Sequence, residues 1–188
     1  MTEATSMKDE NSIFKIASNL MAACFVSGLV IGAVYYVTAP IAAEKAELMK
    51  QESMRELVQD ADSFQEVAGH EGWFAAQKGG TTVAYIVPGA SKGYGGTIKM
   101  LVAVTADAKV IDFSILEHNE TPGLGDNAQK PAFRKQFAEK GAQALEVVKD
   151  PSNQANIQAM TGATISSRAV TKAVREAVEA VAAYTGVK

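Results

Sequence analysis

The stretch TIKMLVAVTADAKVIDFSILEHN, Thr97 to Asn119, holds two apolar runs around a short polar break. Ile98, Leu101, Val102 and Val104 make the first run, and Val110, Ile111, Phe113 and Ile115 the second. β-Branched and aromatic residues in such runs favour strands. Ala106-Asp107-Ala108 between them has the length of a hairpin connection, so the two strands pair antiparallel.

Upstream, TTVAYIVPGA reads as a further strand, and FQEVAGHEGWFAAQKGG as one or two strands with turns. Downstream, NAQKPAFRKQFAEKG reads as a short helix closed by Gly141, and LEVVKD as another strand. A last helix is expected from about Ser167, with Val170, Val174, Val178 and Val181 on one stripe. Strands followed by helices define an α+β domain, an antiparallel sheet with packed helices. No internal repeat or low-complexity segment interrupts it.

A different pattern precedes this domain. From Ile16 to Ala43 no residue is charged, and a helix needs only about 20 apolar residues to cross the hydrocarbon core. Tyr35 and Tyr36 stand where an interfacial aromatic belt would lie. Gly28 and Gly32 have the spacing of close helix packing. A cleaved signal peptide is the rival reading, but its apolar region is shorter and its leading charge positive. Here the run is long, and Glu3, Lys8, Asp9, Glu10 and Lys15 nearly cancel. Cys24 within the span counts as a small apolar residue. After Pro40, Leu48, Met54, Leu57 and Val58 recur among charges at roughly helical spacing. The expected organisation is an N-terminal segment 1–12, a transmembrane helix 13–38, an amphipathic connector helix 39–63 and a folded domain 64–188.

Composition restricts the chemistry. The 18 basic and 21 acidic residues leave a net charge of -3, which gives no electrostatic footprint for nucleic acid. One cysteine and two histidines, His70 and His118, cannot ligate an iron–sulfur cluster or attach a haem, and no metal site is expected. Redox work by this chain therefore needs an organic cofactor. GxxxxGK[ST] and GxSxG are both absent, which removes support for nucleotide hydrolysis and for a serine hydrolase.

Three loops are rich in small residues: GASKGYGGTI between two strands, EHNETPGLGDNAQK between a strand and a helix, and MTGATISS before the last helix. Singly, each is an ordinary turn. The third opens a helix, whose first N–H groups and positive dipole end suit a phosphate. Gly162 lets backbone approach a ligand closely, and Ser166 or Ser167 has the chemistry of an N-cap.

TGATISS, Thr161 to Ser167, resembles the flavinylation motif [ST]-G-A-T-x-[ST]-[ST] of the FMN-binding domain family. GYGGTI and HNETPGLGD are similar to that family's other motifs, in the same order. In length and motifs the chain resembles most closely the G subunits of Rnf electron-transport complexes. The resemblance implies FMN held covalently through its phosphate on Thr164, in a turn made by Thr161, Gly162, Ala163, Ser166 and Ser167. Tyr94, Glu120, Thr121, Gly123, Leu124 and Gly125 are the candidates to line the ring. Pro122 and Leu124 either cover a ring face or pack their own loop. A carboxylate such as Glu120 in a loop is more often simply solvated, and His118 more often structural than a proton carrier. The sequence departs from the family at Gln158, where aspartate is frequent.

By the same resemblance the chain is an electron relay, not a catalyst on its own, within a membrane complex. That complex passes electrons between ferredoxin and NAD+ and couples them to Na+ or H+ translocation. The implied partners are the other subunits, membrane lipid and a flavin transferase, since nothing nearby activates a threonine hydroxyl. The implied location is the inner (cytoplasmic) membrane, single-pass, with the domain on the periplasmic or extracellular side. The alternatives are a C subunit of a sodium-pumping NADH:quinone oxidoreductase, or a non-redox membrane-anchored assembly module.

Overall fold

A computed structural model describes residues 3–150 and 152–187, with side chains from Ile13 onward in the N-terminal helix. The first two residues of the expected segment 1–12 lie outside the described residues. The chain forms two compact units, Met1–Leu48 and Met49–Lys188.

Helix α1, Glu3–Leu57, is continuous through Pro40. Proline removes one backbone donor, and the Thr38 hydroxyl donates back to the Val34 carbonyl at 2.9 Å. The stretch expected as a separate connector continues this same helix as far as Leu57. In the first unit Ile16, Leu20, Phe25, Leu29, Val34 and Tyr36 are all exposed. A helix apolar all round is covered in use, by other protein or by lipid. This one is long and apolar enough to cross a membrane.

The second unit is α+β. Its sheet is an antiparallel meander in chain order: β1 (Ser63–Glu66), β2 (Phe74–Lys78), β3 (Thr81–Lys92), β4 (Thr97–Thr105) and β5 (Val110–Glu117). The β4–β5 hairpin closes as expected, with the Thr105 N–H donating to the Lys109 carbonyl and Ala108 at φ 59°.

Strand β4 explains why its sequence is apolar without alternation. Ile98, Met100, Val102 and Val104 belong to one core cluster; Leu101 and Ala103 belong to another. A strand covered on both faces reads as a continuous apolar run. The first face lies under α3 (Thr164–Thr185), whose Val170, Val174, Val178 and Val181 are all buried. Each such valine contributes about 1.5–3 kcal/mol. The second face packs with Met54, Leu57 and Val58 at the end of α1.

Three expectations are corrected. The segment expected as one helix up to Gly141 is a 3-10 turn, Gly125–Gln129, followed by a single helical turn, α2 (Pro131–Arg134). Proline disfavours helical backbone at the preceding residue, and Lys130 is extended at ψ 145°. The chain then reverses at Glu139, φ 61°, while Gly141, at φ -86°, closes no helix before it and instead opens a 3-10 turn, Ala142–Ala144. LEVVKD contributes only β6 (Val147–Val148), paired in parallel with β7 (Ile157–Gln158). Finally, α3 begins at Thr164, three residues before the expected start.

Candidate functional site

The earlier start of α3 changes what its hydroxyls do. The N-cap residue is Ala163, with no side-chain cap hydrogen bond. Alanine is among the weakest N-caps. The Ser167 N–H makes the first helical bond, to the Ala163 carbonyl at 2.9 Å. The N–H groups of Thr164, Ile165 and Ser166 precede it and have no intrahelical acceptor. This helix start is thus left open to an outside acceptor, and an anion suits it best.

Ser166 and Ser167 are not caps, because both lie inside the first turn and are buried. The Ser167 hydroxyl donates to the Ala163 carbonyl and accepts from the Met160 N–H, both at 2.9 Å. It ties the preceding turn to the helix. That turn closes from the Ala163 N–H to the Met160 carbonyl at 3.1 Å, with Gly162 at φ +73°. Only glycine takes this conformation freely.

A cavity of about 610 Å³ opens at this helix start. Thr164, Gly162, Ala163 and Ser166 line one side; Tyr94, Glu120, Thr121, Leu124 and Gly125 line the rest. The three glycine-bearing loops therefore converge on one site. Ile165 also lines it and was not anticipated, since an apolar residue in a helix reads as core; here it is 54% exposed. Tyr94 and Leu124 are 73% and 42% exposed. Among the described residues no hydrogen bond engages the Thr164 hydroxyl. Thr161, Gly123 and Ser167 do not line the cavity. Gly123 sits in a turn closed by the Leu124 N–H on the Thr121 carbonyl, and Pro122 is also absent from the lining.

Glu120 is not a solvated loop carboxylate: it is only 6% exposed. The Gly95 N–H donates to Oε1 at 2.9 Å, and the Ser166 hydroxyl donates to Oε2. One side chain thus joins all three loops. His118 braces the same loop, its Nδ1 accepting from the Glu120 N–H at 3.2 Å and its Nε2 meeting the Gln129 amide at 2.9 Å. Gln158 faces a different task. Its amide donates to the Asp150 and Asn153 carbonyls at 2.6 and 2.5 Å, which a carboxylate cannot do.

The site fits a flat cofactor bearing a phosphate. Ligand cavities typically enclose about 300–1,000 Å³. Uncapped N–H groups meet the needs of an anion, and Tyr94, Leu124 and Ile165 offer apolar surface for a ring.

Comparison with known proteins defines the class. Residues 93–179, which include GYGGTI of the first loop and the whole of the other two, match the FMN-binding domain family. The fold is shared with the crystal structure of Shewanella oneidensis NqrC at a TM-score of 0.52, with 20% identity, over 70% of this chain and 74% of that one. This is an FMN-binding domain behind a long apolar helix. The chain is 62% identical over 181 residues to the G subunit of the proton-translocating ferredoxin:NAD(+) oxidoreductase complex of Clostridium ljungdahlii, covering 96% of this chain and 98% of that protein. It is 30% identical over 192 residues to the G subunit of the ion-translocating oxidoreductase complex of Methanosarcina acetivorans, covering 96% and 100%. The chain belongs to the G-subunit family of ion-translocating oxidoreductase complexes.

Proposed function

We propose that this chain is the electron-relay subunit of a ferredoxin:NAD+ oxidoreductase complex that drives Na+ or H+ across a membrane, and that it carries FMN covalently on Thr164. The observation that carries the covalent reading is the start of α3. There an alanine N-cap leaves N–H groups open beside a cavity-lining threonine hydroxyl. A Ser, Asp or Asn at position 163 would supply its own acceptor and compete with a phosphate.

FMN, when bound, supplies an isoalloxazine ring that takes up and passes on electrons. The chain's own residues seat and shield it. The open N–H groups of Thr164, Ile165 and Ser166 would hold the phosphate charge, and Gly162 keeps the turn free of a side chain. Tyr94, Leu124 and Ile165, exposed in the cavity wall, would cover the ring. The Thr164 oxygen would hold the phosphate as an ester, having given up its proton, with the leaving group of an activated flavin-phosphate donor taking the bonding electrons. A hydroxyl with no base among its hydrogen-bond partners needs a separate transferase for this step.

The span 13–38 anchors the chain in the cytoplasmic membrane, the segment 39–63 connects it, and the domain 64–188 lies on the periplasmic or extracellular side among the other subunits. Support for the side comes from the family resemblance alone. Gln158 gives no reason to favour a flavin-free assembly module, because its amide is occupied in the fold.

In-gel flavin fluorescence after denaturation tests the covalent link: a fluorescent wild-type band is expected and a dark one would overturn it. Topology is tested with cysteines at Glu3 and Lys78, after Cys24 is removed, and an impermeant thiol reagent on intact cells. Labelling at position 78 alone is expected; labelling at position 3 alone reverses the orientation.

A further inference from the structure

The carboxylate that joins the three loops is more than a latch. Around it the chain leaves no spare room. A Cβ on Gly93 would overlap Glu120 Oε1, and one on Gly125 would come within 2.5 Å of Oε2 and 2.6 Å of the Ser166 oxygen. A Cβ on Gly95 would overlap the Asn119 carbonyl oxygen. The glycines of the first two loops therefore shape a slot for this one group.

Both partners of the carboxylate, the Gly95 N–H and the Ser166 hydroxyl, are neutral. Among the described residues no lysine, arginine or histidine lies at ion-pair distance from it. The acidic side chains that do pair are elsewhere, as in Arg134 with Asp112 and Lys99 with Glu117. Burying a carboxylate with only neutral partners is costly.

Shape alone does not require that cost. A glutamine at position 120 has the same outline. Its carbonyl oxygen would accept from the Gly95 N–H, and its amide would donate to the Ser166 oxygen, since a hydroxyl serves either way. What the acid adds over the amide is charge, and it adds it in the wall of the cavity that Thr164 also lines. A charge held in a site of low dielectric acts strongly on another nearby.

We propose that Glu120 is a positioning residue that pins the three loops together and, through its negative charge in the cavity wall, lowers the reduction potential of the bound flavin. An electron added to the ring meets that charge, so the oxidised form is favoured and the reduced flavin is a stronger donor. This rests on the reading of the cavity as the FMN site.

The test uses the flavin-loaded full-length chain, with Glu120→Gln and Glu120→Asp variants. Covalent flavin is read on a denaturing gel, and the midpoint potential by spectroelectrochemical titration. Glu120→Gln should keep its flavin and shift the midpoint positive. The expected shift is at least tenfold in the reduced-to-oxidised ratio at a fixed potential, or about 30 mV for a two-electron couple. Glu120→Asp keeps the charge and should stay close to wild type, with an altered flavin circular-dichroism spectrum from the shortened latch. An unchanged or more negative midpoint in Glu120→Gln overturns the proposal. So does flavin in Glu120→Asp but not in Glu120→Gln, because the acid then serves attachment. If neither variant carries flavin, Glu120 serves the fold alone and the proposal falls. Absence of flavin from the wild-type chain would instead refute the assignment of the cavity itself.

Discussion

Replacing Gly125 by alanine tests whether the buried carboxylate sits where the loops converge. The new Cβ would stand 2.5 Å from Glu120 Oε2, 2.6 Å from the Ser166 oxygen and 2.8 Å from Glu120 Cβ. Two of these neighbours are parts of a buried hydrogen-bonded pair, not the free ends of flexible chains. Forcing a methyl into a packed site costs about 1–3 kcal/mol, and disturbing a hydrogen bond to a charged group about 1.5–3 kcal/mol more. At roughly 2–6 °C per kcal/mol for a domain of this size, Tm should fall by about 5–35 °C. The single tryptophan, Trp73, is buried in the domain's first core cluster and reports its unfolding by fluorescence in detergent. Glu120→Gly should partly rescue Gly125→Ala, since it removes two of the three clashing atoms and leaves only the Ser166 oxygen, and a double-mutant cycle would show that coupling. A Tm within about 2 °C of wild type, or no coupling between the two positions, would refute the geometry.

Other substitutions separate backbone strain from hydrogen bonding. Gly162→Ala forces φ +73° on a residue with a Cβ and brings it 3.2 Å from Leu124 Cδ2, so it should cost about 1–2 kcal/mol by thermal unfolding. Gln158→Asp removes both donors to the Asp150 and Asn153 carbonyls and sets a carboxylate against two acceptors. A loss of about 1–3 kcal/mol is expected, and an unchanged Tm would show the amide to be dispensable.

The sheet was legible because its strands are apolar enough to declare themselves, and the uninterrupted run in β4 signals cover on both faces. The source of the second cover was less visible. Met54, Leu57 and Val58 lie among charges, and helical spacing alone does not show what a helix end packs against. The segment after β5 misled because its composition suits a helix, whereas Pro131 divides it at Lys130. The start of α3 misled for a related reason. Ser166 and Ser167 look like caps, and an alanine N-cap carries no mark in sequence. Its meaning depends on an anion that the chain itself does not supply. The convergence of the three loops could be inferred from their motifs and family resemblance. The role of Glu120 could not, since burial of a loop carboxylate depends on contacts 25 and 46 residues away in sequence.

The central claim is that Thr164 carries the flavin, and the mass of one peptide tests it most directly. Trypsin should release Asp150–Arg168, which holds Thr161, Thr164, Ser166 and Ser167 together. Fragmentation that preserves side-chain esters then locates the modification. The wild-type peptide should carry the mass of FMN less one water on Thr164. Thr164→Ala should give an unmodified peptide and a dark band on the denaturing gel, while membrane insertion and Trp73 unfolding stay close to wild type, because a hydroxyl without a hydrogen-bond partner contributes little to the fold. Flavin mass on Thr161 or Ser166, or fluorescence that survives in Thr164→Ala, would contradict the account.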